Sequence, residues 1–355
     1  MHAALQIAEI QQVFCSQMST VKSLAALART CKTLKEPALD CLWSGDLEPI
    51  ELICLIKVLK PVMEVNLWRT CVVADVGLTT GDDWMHAMSY TTRVRVLHLS
   101  VLSEWRITEH AIRRLWSSSS TIEQVFPKLR SLVVDGINST SGPASWSLQL
   151  HCDFFFPNSS ALTLEFSEGV DPEFWRLLPE RSPRLKSLAV TPPRDTRYWI
   201  ISDGHPEYPM VTPLSRAVEQ LRLLEYLKCP DLENDALLAV SQLPGLEYLS
   251  LWEKEIVLPY PTMLQFPALR VLDLVQVNFR DLNDNAIDFL YSLETIPETV
   301  VMKTLTPLFR LHRLKEINIP RWDCQVDFSD DDLAAMMTAW PGLENLWLGG
   351  RLVCP

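Results

Sequence analysis

From residue 61 onward, apolar residues recur in the order L-x-x-L-x-L, with polar residues between them. Leu246-Glu-Tyr-Leu249-Ser-Leu251 is the clearest copy, and Leu243-Pro-Gly just before it ends a helix-like run. Period-two alternation puts Leu249 and Leu251 on one side of a strand and leaves the intervening residues on the other. The frame occurs ten times, centred on Val65, Leu97, Leu132, Leu162, Leu188, Leu227, Leu249, Leu272, Ile317 and Leu346. Centres lie 22 to 45 residues apart, so the repetition carries loops of variable length. Helical patterns fill the intervals, several closed by Phe-Pro, Ser-Pro or Pro-Gly. Ser329 and the acidic run 330–332 before Leu333, Met336, Met337 and Trp340 read as a capping box rather than a metal site. Asn234-Asp235 before Ala236, Leu237, Leu238 and Val240 reads as another helix start.

The opening 45 residues follow a different rhythm. Ile7, Ile10, Val13, Phe14 and Met18 recur at helical steps, with Gln6, Glu9, Gln12 and Ser16 on the other side. Ser19-Thr20 separates this helix from a second, striped by Leu24, Leu27, Ala28, Cys31 and Leu34. Glu36-Pro37 opens a third, because proline fits a first helical turn. Three helices this small cannot hide all their apolar surface alone. Pro49 to Leu59 reads as a further helix, ended by Pro61. Residues 136–160 and 192–213, rich in Ser, Gly and Pro, read as insertions or long loops.

A strand plus a helix per 20–45 residues, stacked, predicts an α/β solenoid. The sequence is similar to the leucine-rich repeat family over residues 61–350. The resemblance implies a parallel sheet on the concave side, helices outside, and about nine or ten irregular repeats within 46–355. The asparagine that family places after the last leucine is absent; Lys254, Val277 and Arg351 stand there. Its carbonyl partners must bond elsewhere, which predicts irregular turns.

Composition narrows the function. A net charge of −12 with no basic stripe excludes most nucleic-acid binding. No apolar run is long enough for a membrane helix. Met1 to Met18 contains neither lysine nor arginine, which fits neither a secretory signal nor a mitochondrial presequence, so the expected setting is cytoplasmic or nuclear. Nine scattered cysteines show no C-x-x-C pair and are expected to be reduced core residues, with no metal and no cofactor. There is no H-E-x-x-H, nucleophile elbow, Walker loop or dinucleotide fingerprint, so no catalytic residue is expected.

The three N-terminal helices, ending in Leu42-Trp43, resemble an F-box, closest to the F-box-like variant of fungal leucine-rich repeat proteins. Residues 1–45 would form that segment. The resemblance implies docking on a Skp-type adaptor and its cullin ligase core, with the repeats holding an unknown protein substrate. Carried over by position, Ile7, Ile10, Val13, Phe14, Leu24 and Leu27 would form the adaptor face. Ala8 stands where that family has proline, and Gln11 where leucine is common. The same helices could instead only cap the solenoid. For the substrate, the intervening strand positions offer Trp68, Arg95, His98, Tyr248, Trp252, Asp273, Glu344 and Trp347. Aromatics there are either binding anchors or a shield over the sheet.

Overall fold

The computed structural model describes residues 7–52, 54–55, 62–65, 71–75, 81–100, 105–107, 122–137, 159–166, 172–191, 211–257, 264–280, 299–301 and 305–351. Two compact units divide the chain, Met1–Ser182 with Pro192–Ser202, and Pro183–Thr191 with Asp203–Pro355. The three N-terminal helices therefore share a unit with the first repeats.

In the first unit, α1 (Ala8–Ser16), α2 (Val21–Thr30) and α3 (Lys35–Ser44) pack around Cys15, Leu24 and Ala38, none of which is exposed. Met18, Leu27, Ala28, Cys41 and Leu42 close over that cluster. Thr20 caps α2, its hydroxyl accepting from the Ser23 N–H at 3.1 Å. Burial, then neighbouring Cys41 and Cys31, pushes the Cys15 thiol up, so it stays a protonated, inert core group.

A parallel sheet follows in the spatial order β1 (Ile50–Glu51), β4 (Val96–Ser100), β6 (Ser131–Ile137) and β7 (Ala161–Phe166). Leu97, Leu132 and Leu162 sit opposite one another, and Leu99, Val134 and Leu164 form the next rung. All six are buried. Two expectations fail here. Ile50–Glu51 is a strand paired with Leu97–His98, and the helical residues described after it are 52, 54 and 55. Val65 is not a repeat centre. It closes β2 (Val62–Val65) against β3 (Cys71–Asp75) in an antiparallel hairpin, and β3 pairs in parallel with β5 (Trp105–Ile107). A short connection lets Val62–Val65 pair locally, which costs less loop-closure entropy than joining the larger sheet.

The second unit runs β8 (Ser187–Thr191), β9 (Tyr226–Cys229), β10 (Tyr248–Val257), β11 (Val271–Arg280) and β13 (Glu316–Asp327), all parallel. β12 (Thr299–Val301) and β14 (Asn345–Arg351) pair with different parts of β13. Leu188, Leu227, Leu249, Leu272, Ile317 and Leu346 fall on one rung. The first five are buried, whereas Leu346 is 38% exposed because no described strand lies beyond β14. The missing asparagine turns are replaced by longer strands. Lys254 pairs with Val277, so the ladder itself engages carbonyls that a side chain would otherwise hold.

Helix ends in this unit partly confirm the pattern. Ser329 accepts from the Asp332 N–H at 3.2 Å, and Asp332 accepts from the Ser329 N–H at 2.9 Å, closing the capping box of helix Asp330–Ala339. That helix buries Met336, with Trp340 just past its end, and leaves Leu333 and Met337 exposed, a correction to its expected apolar face. Ser329→Ala is expected to cost about 1 kcal/mol, read by denaturant unfolding. The Asp332 carboxyl is held below its ordinary range, first by the Ser329 backbone and then by its hydroxyl. Its contribution is therefore complete above the unfolded carboxylate pKa and fades as pH falls through the lowered folded value. Ser329→Ala should flatten that acid limb. Asn234-Asp235 does not cap its helix. Asn234 is the first helical residue, Glu233 precedes it without a side-chain cap bond, and Ser215 Oγ accepts from the Glu233 N–H at 2.8 Å.

Candidate functional site

Helix α1 turns its more polar side inward. Gln11 and Cys15 are buried, whereas Ile7, Ile10, Val13 and Phe14 are 49%, 39%, 60% and 41% exposed. Steps of three and four residues place these four side chains in one stripe. Gln11, standing where the family it resembles has leucine, thus faces the chain's own helices. Leu24 is wholly buried in the helical core and Leu27 half-buried against it, so Leu24 leaves the expected adaptor face.

The position of Ala8 is also readable. It is the first residue of α1, where proline's missing N–H costs nothing, and Ile7 before it is extended at φ −85° and ψ 121°. Ala8→Pro is expected to be accepted and to raise stability by about 0.4–1 kcal/mol, checked by thermal unfolding.

Several contacts fix α3 to the repeats of its own unit. Arg93 reaches the carboxylates of Glu36 and Asp40, and its Nε donates to the Ser89 carbonyl at 2.9 Å. The Arg95 N–H donates to the Ser44 carbonyl at 2.8 Å, and Trp43 meets Tyr90 at 4.7 Å between ring centres. Gly45, at φ +83°, lets this backbone pass against β4.

On the sheet faces opposite the leucines, the expected substrate residues fall into separate groups. Arg95 and His98 belong to the first unit. Arg95 pairs with Asp46 at 3.3 Å and shares a cleft of about 360 Å³ with Lys128 and Arg130. His98 stands opposite Glu51 and Val133. Trp68 lies outside the described residues. Trp252 continues β10 opposite Val275, and its side chain also lies outside them.

The second unit brings Tyr248, Asp273, Glu344 and Trp347 onto neighbouring strands. One row, just before the strands, carries three pairs of opposite charge. Lys186 meets Glu225 at 2.6 Å, Arg270 meets Glu247 at 3.9 Å, and Lys315 meets Glu344 at 2.6 Å. Glu344 is therefore already engaged, in an exposed pair of the kind that contributes only about 0–1 kcal/mol. The next row places Tyr226 opposite Tyr248, their rings stacked 4.2 Å apart at 12°. A third row runs Lys228, Ser250, Asp273, Asn318 and Trp347. Ser250 and Tyr248 donate to Asp273 Oδ2 at 3.0 Å and 3.4 Å. Burial above all, then Tyr226 and Asp273, pushes the Tyr248 phenol up and keeps it a donor. Trp347 is 58% exposed on the outermost described strand. Tyr226, Ser250 and Asn318 escaped the sequence reading. Aligning the frames position by position would have found them, since they repeat the places of Tyr248, Asp273 and Trp347.

Among the described residues, no group of three or more His, Cys, Asp or Glu side chains is placed to hold a metal ion. None of the described helices is long and apolar enough to cross a membrane.

Leucines in register along parallel strands, joined by helical segments, define a leucine-rich repeat α/β fold. No protein-family model matches the chain, and no curated protein does. Among solved structures, a leucine-rich repeat protein of Leptospira interrogans is similar at 13% identity and a TM-score of 0.33, over 74% of this chain and 62% of that one. The chain thus spans less than two thirds of that protein. An internalin of Listeria monocytogenes is similar at 12% identity and a TM-score of 0.38, over 94% and 95%. The yeast Rad7–Elc1 complex is similar at 13% identity and a TM-score of 0.35, over 98% and 89%. Likenesses this distant say nothing of what the chain binds.

Proposed function

We propose that this protein is the substrate-recognition subunit of a Skp–cullin–F-box type ubiquitin ligase, acting in the cytoplasm or nucleus. The carrying observation is α1, whose apolar stripe of Ile7, Ile10, Val13 and Phe14 points away from its own helices. Helices rarely spend a polar residue on the inside and four apolar ones on the outside unless something covers the outside. The F-box-like pattern of residues 1–45 names the cover as a Skp-type adaptor. In this reading the repeats hold a protein substrate and raise its local concentration beside the ubiquitin-charged enzyme. The chain makes and breaks no bond itself.

The test is retention of a purified Skp-type adaptor by the full chain. Stoichiometric capture supports the ligase reading. A folded chain that captures none supports the second reading, a non-enzymatic leucine-rich repeat scaffold or inhibitor whose helices only cap it. The ties from Arg93, Arg95 and Gly45 to α3 favour capping, and capping and docking use different faces.

A further inference from the structure

In the row just before the strands, the second unit gives every cation a carboxylate: Lys186 has Glu225, Arg270 has Glu247 and Lys315 has Glu344. The first unit departs from this. Arg95 precedes β4 and Arg130 precedes β6, and the Arg95 carbonyl accepts the Arg130 N–H at 2.8 Å. Two arginines thus stand side by side. Beyond Arg130 the row continues with Ser160, whose N–H and hydroxyl both donate to the Arg130 carbonyl. Like charges at neighbouring strand positions repel, and the fold bears that cost. Asp46 takes one Arg95 N–H at 3.3 Å, which leaves further donors on the same guanidinium. Among the described residues, Lys128 and Arg130 have no ion pair.

A turn brings the third cation. The Leu129 N–H donates to the Phe126 carbonyl at 3.1 Å, and both Phe126 and Leu129 are buried. This anchored turn sets Lys128 and Arg130 around the cleft of about 360 Å³ that Arg95 also lines. Pro127, Lys128 and Arg130 are exposed, so the cleft is open to solvent.

The cleft dictates what enters. Three cations against one carboxylate leave local positive charge and unused donors, so the occupant must be an anion that accepts. A guanidinium fork matches a carboxylate with two parallel hydrogen bonds. The row also holds carboxylates elsewhere, with a glutamate oxygen 2.6 Å from Lys186 and another 2.6 Å from Lys315. At Arg130 the chain supplies no such glutamate, and a partner can. A nucleic-acid backbone fits poorly, because Ser160 ends the run of cations and the net charge is −12. That net charge does not bar a short acidic segment. Charges farther than about 8 Å are largely screened at physiological ionic strength, whereas the cations of the cleft act at contact.

We propose that Arg95, Lys128 and Arg130 hold carboxylates of an Asp- or Glu-bearing segment of a protein partner. The cleft names the chemistry of what the repeats hold. It rests on their proposed role as a protein-binding surface, not on adaptor docking by α1.

Fluorescence anisotropy on the full chain, near physiological salt, tests this with three labelled peptides of equal length. One is rich in Asp and Glu, one carries phosphoserine as its only acid, and one is basic. Wild type should bind the Asp/Glu peptide most tightly. Arg130→Gln should weaken that binding by about tenfold or more. Its Tm should equal or exceed that of wild type, because a like charge beside Arg95 is gone. Lys315→Gln removes a cation of the same row that already has its glutamate, and should weaken binding by less than about threefold. Unchanged binding in Arg130→Gln, or equal losses in both variants, would overturn the cleft. Tighter binding of the phosphoserine peptide would overturn the carboxylate as its occupant. Adaptor capture by the same preparation keeps the two proposals apart. Capture without peptide binding overturns the cleft alone, and peptide binding without capture overturns the ligase reading and leaves the cleft standing.

Discussion

Replacing both Ile10→Asp and Phe14→Asp is expected to abolish retention of a Skp-type adaptor while leaving the thermal midpoint nearly unchanged. Both side chains are well exposed, so the folded chain loses little when they become polar. An adaptor covering them would lose about 1.5–3 kcal/mol of apolar burial at each site and would have to desolvate two carboxylates. The combined effect is a weakening of at least about a hundredfold. Leu24→Ala supplies the contrast. Leu24 is wholly buried, so its truncation is expected to cost about 2–5 kcal/mol of stability, and any loss of capture should follow unfolding. Calorimetric titration of the adaptor beside thermal melts separates the two. If the double variant binds as tightly as wild type, α1 is not the docking face.

Gly45→Ala is expected to be strongly destabilising, far more so than the same change at Gly342. The backbone there is left-handed at φ +83°, and an added Cβ would lie 2.5 Å from the Val96 carbonyl oxygen and 2.9 Å from its Cβ. The first term costs an ordinary residue about 1–3 kcal/mol. The second requires β4 or α3 to shift, though Ser44 and Arg95 are hydrogen-bonded across this junction at 2.8 Å. Together they predict a loss of about 3–4 kcal/mol in denaturant unfolding. Gly342→Ala is the control, since nothing lies within 4 Å of an added Cβ there. A loss below about 1 kcal/mol at Gly45 would mean that the junction yields freely.

Nine of the ten repeat centres were legible because burying every second residue of a strand leaves a leucine period that no helix produces. Val65 misled because its segment carries the same apolar spacing, and spacing is silent about which strand lies alongside. The two residues of β1 were too few to show alternation, so the helical pattern of Leu52 and Leu55 masked them. At the candidate sites, the strand residues Tyr248, Asp273 and Trp347 could be named from their frame. Their grouping with Tyr226, Ser250 and Asn318 depended on which strands become neighbours.

By itself, then, the sequence determined the period, the parallel repeat class, the three opening helices and the capping box, since each depends on residues near one another in the chain. Only the tertiary structure decided which side of α1 faces out. Two stripes, one with Gln11 and one with Phe14, are both geometrically able to pack, and the small cluster of Cys15, Leu24 and Ala38 settled it by fitting closely. It also set Asp273 beside Ser250, whose hydroxyl donates to it at 3.0 Å, and beside Asn318. Hydrogen-bond supply at a strand position is set by what the strands on either side bring, and those lie more than twenty residues away in sequence.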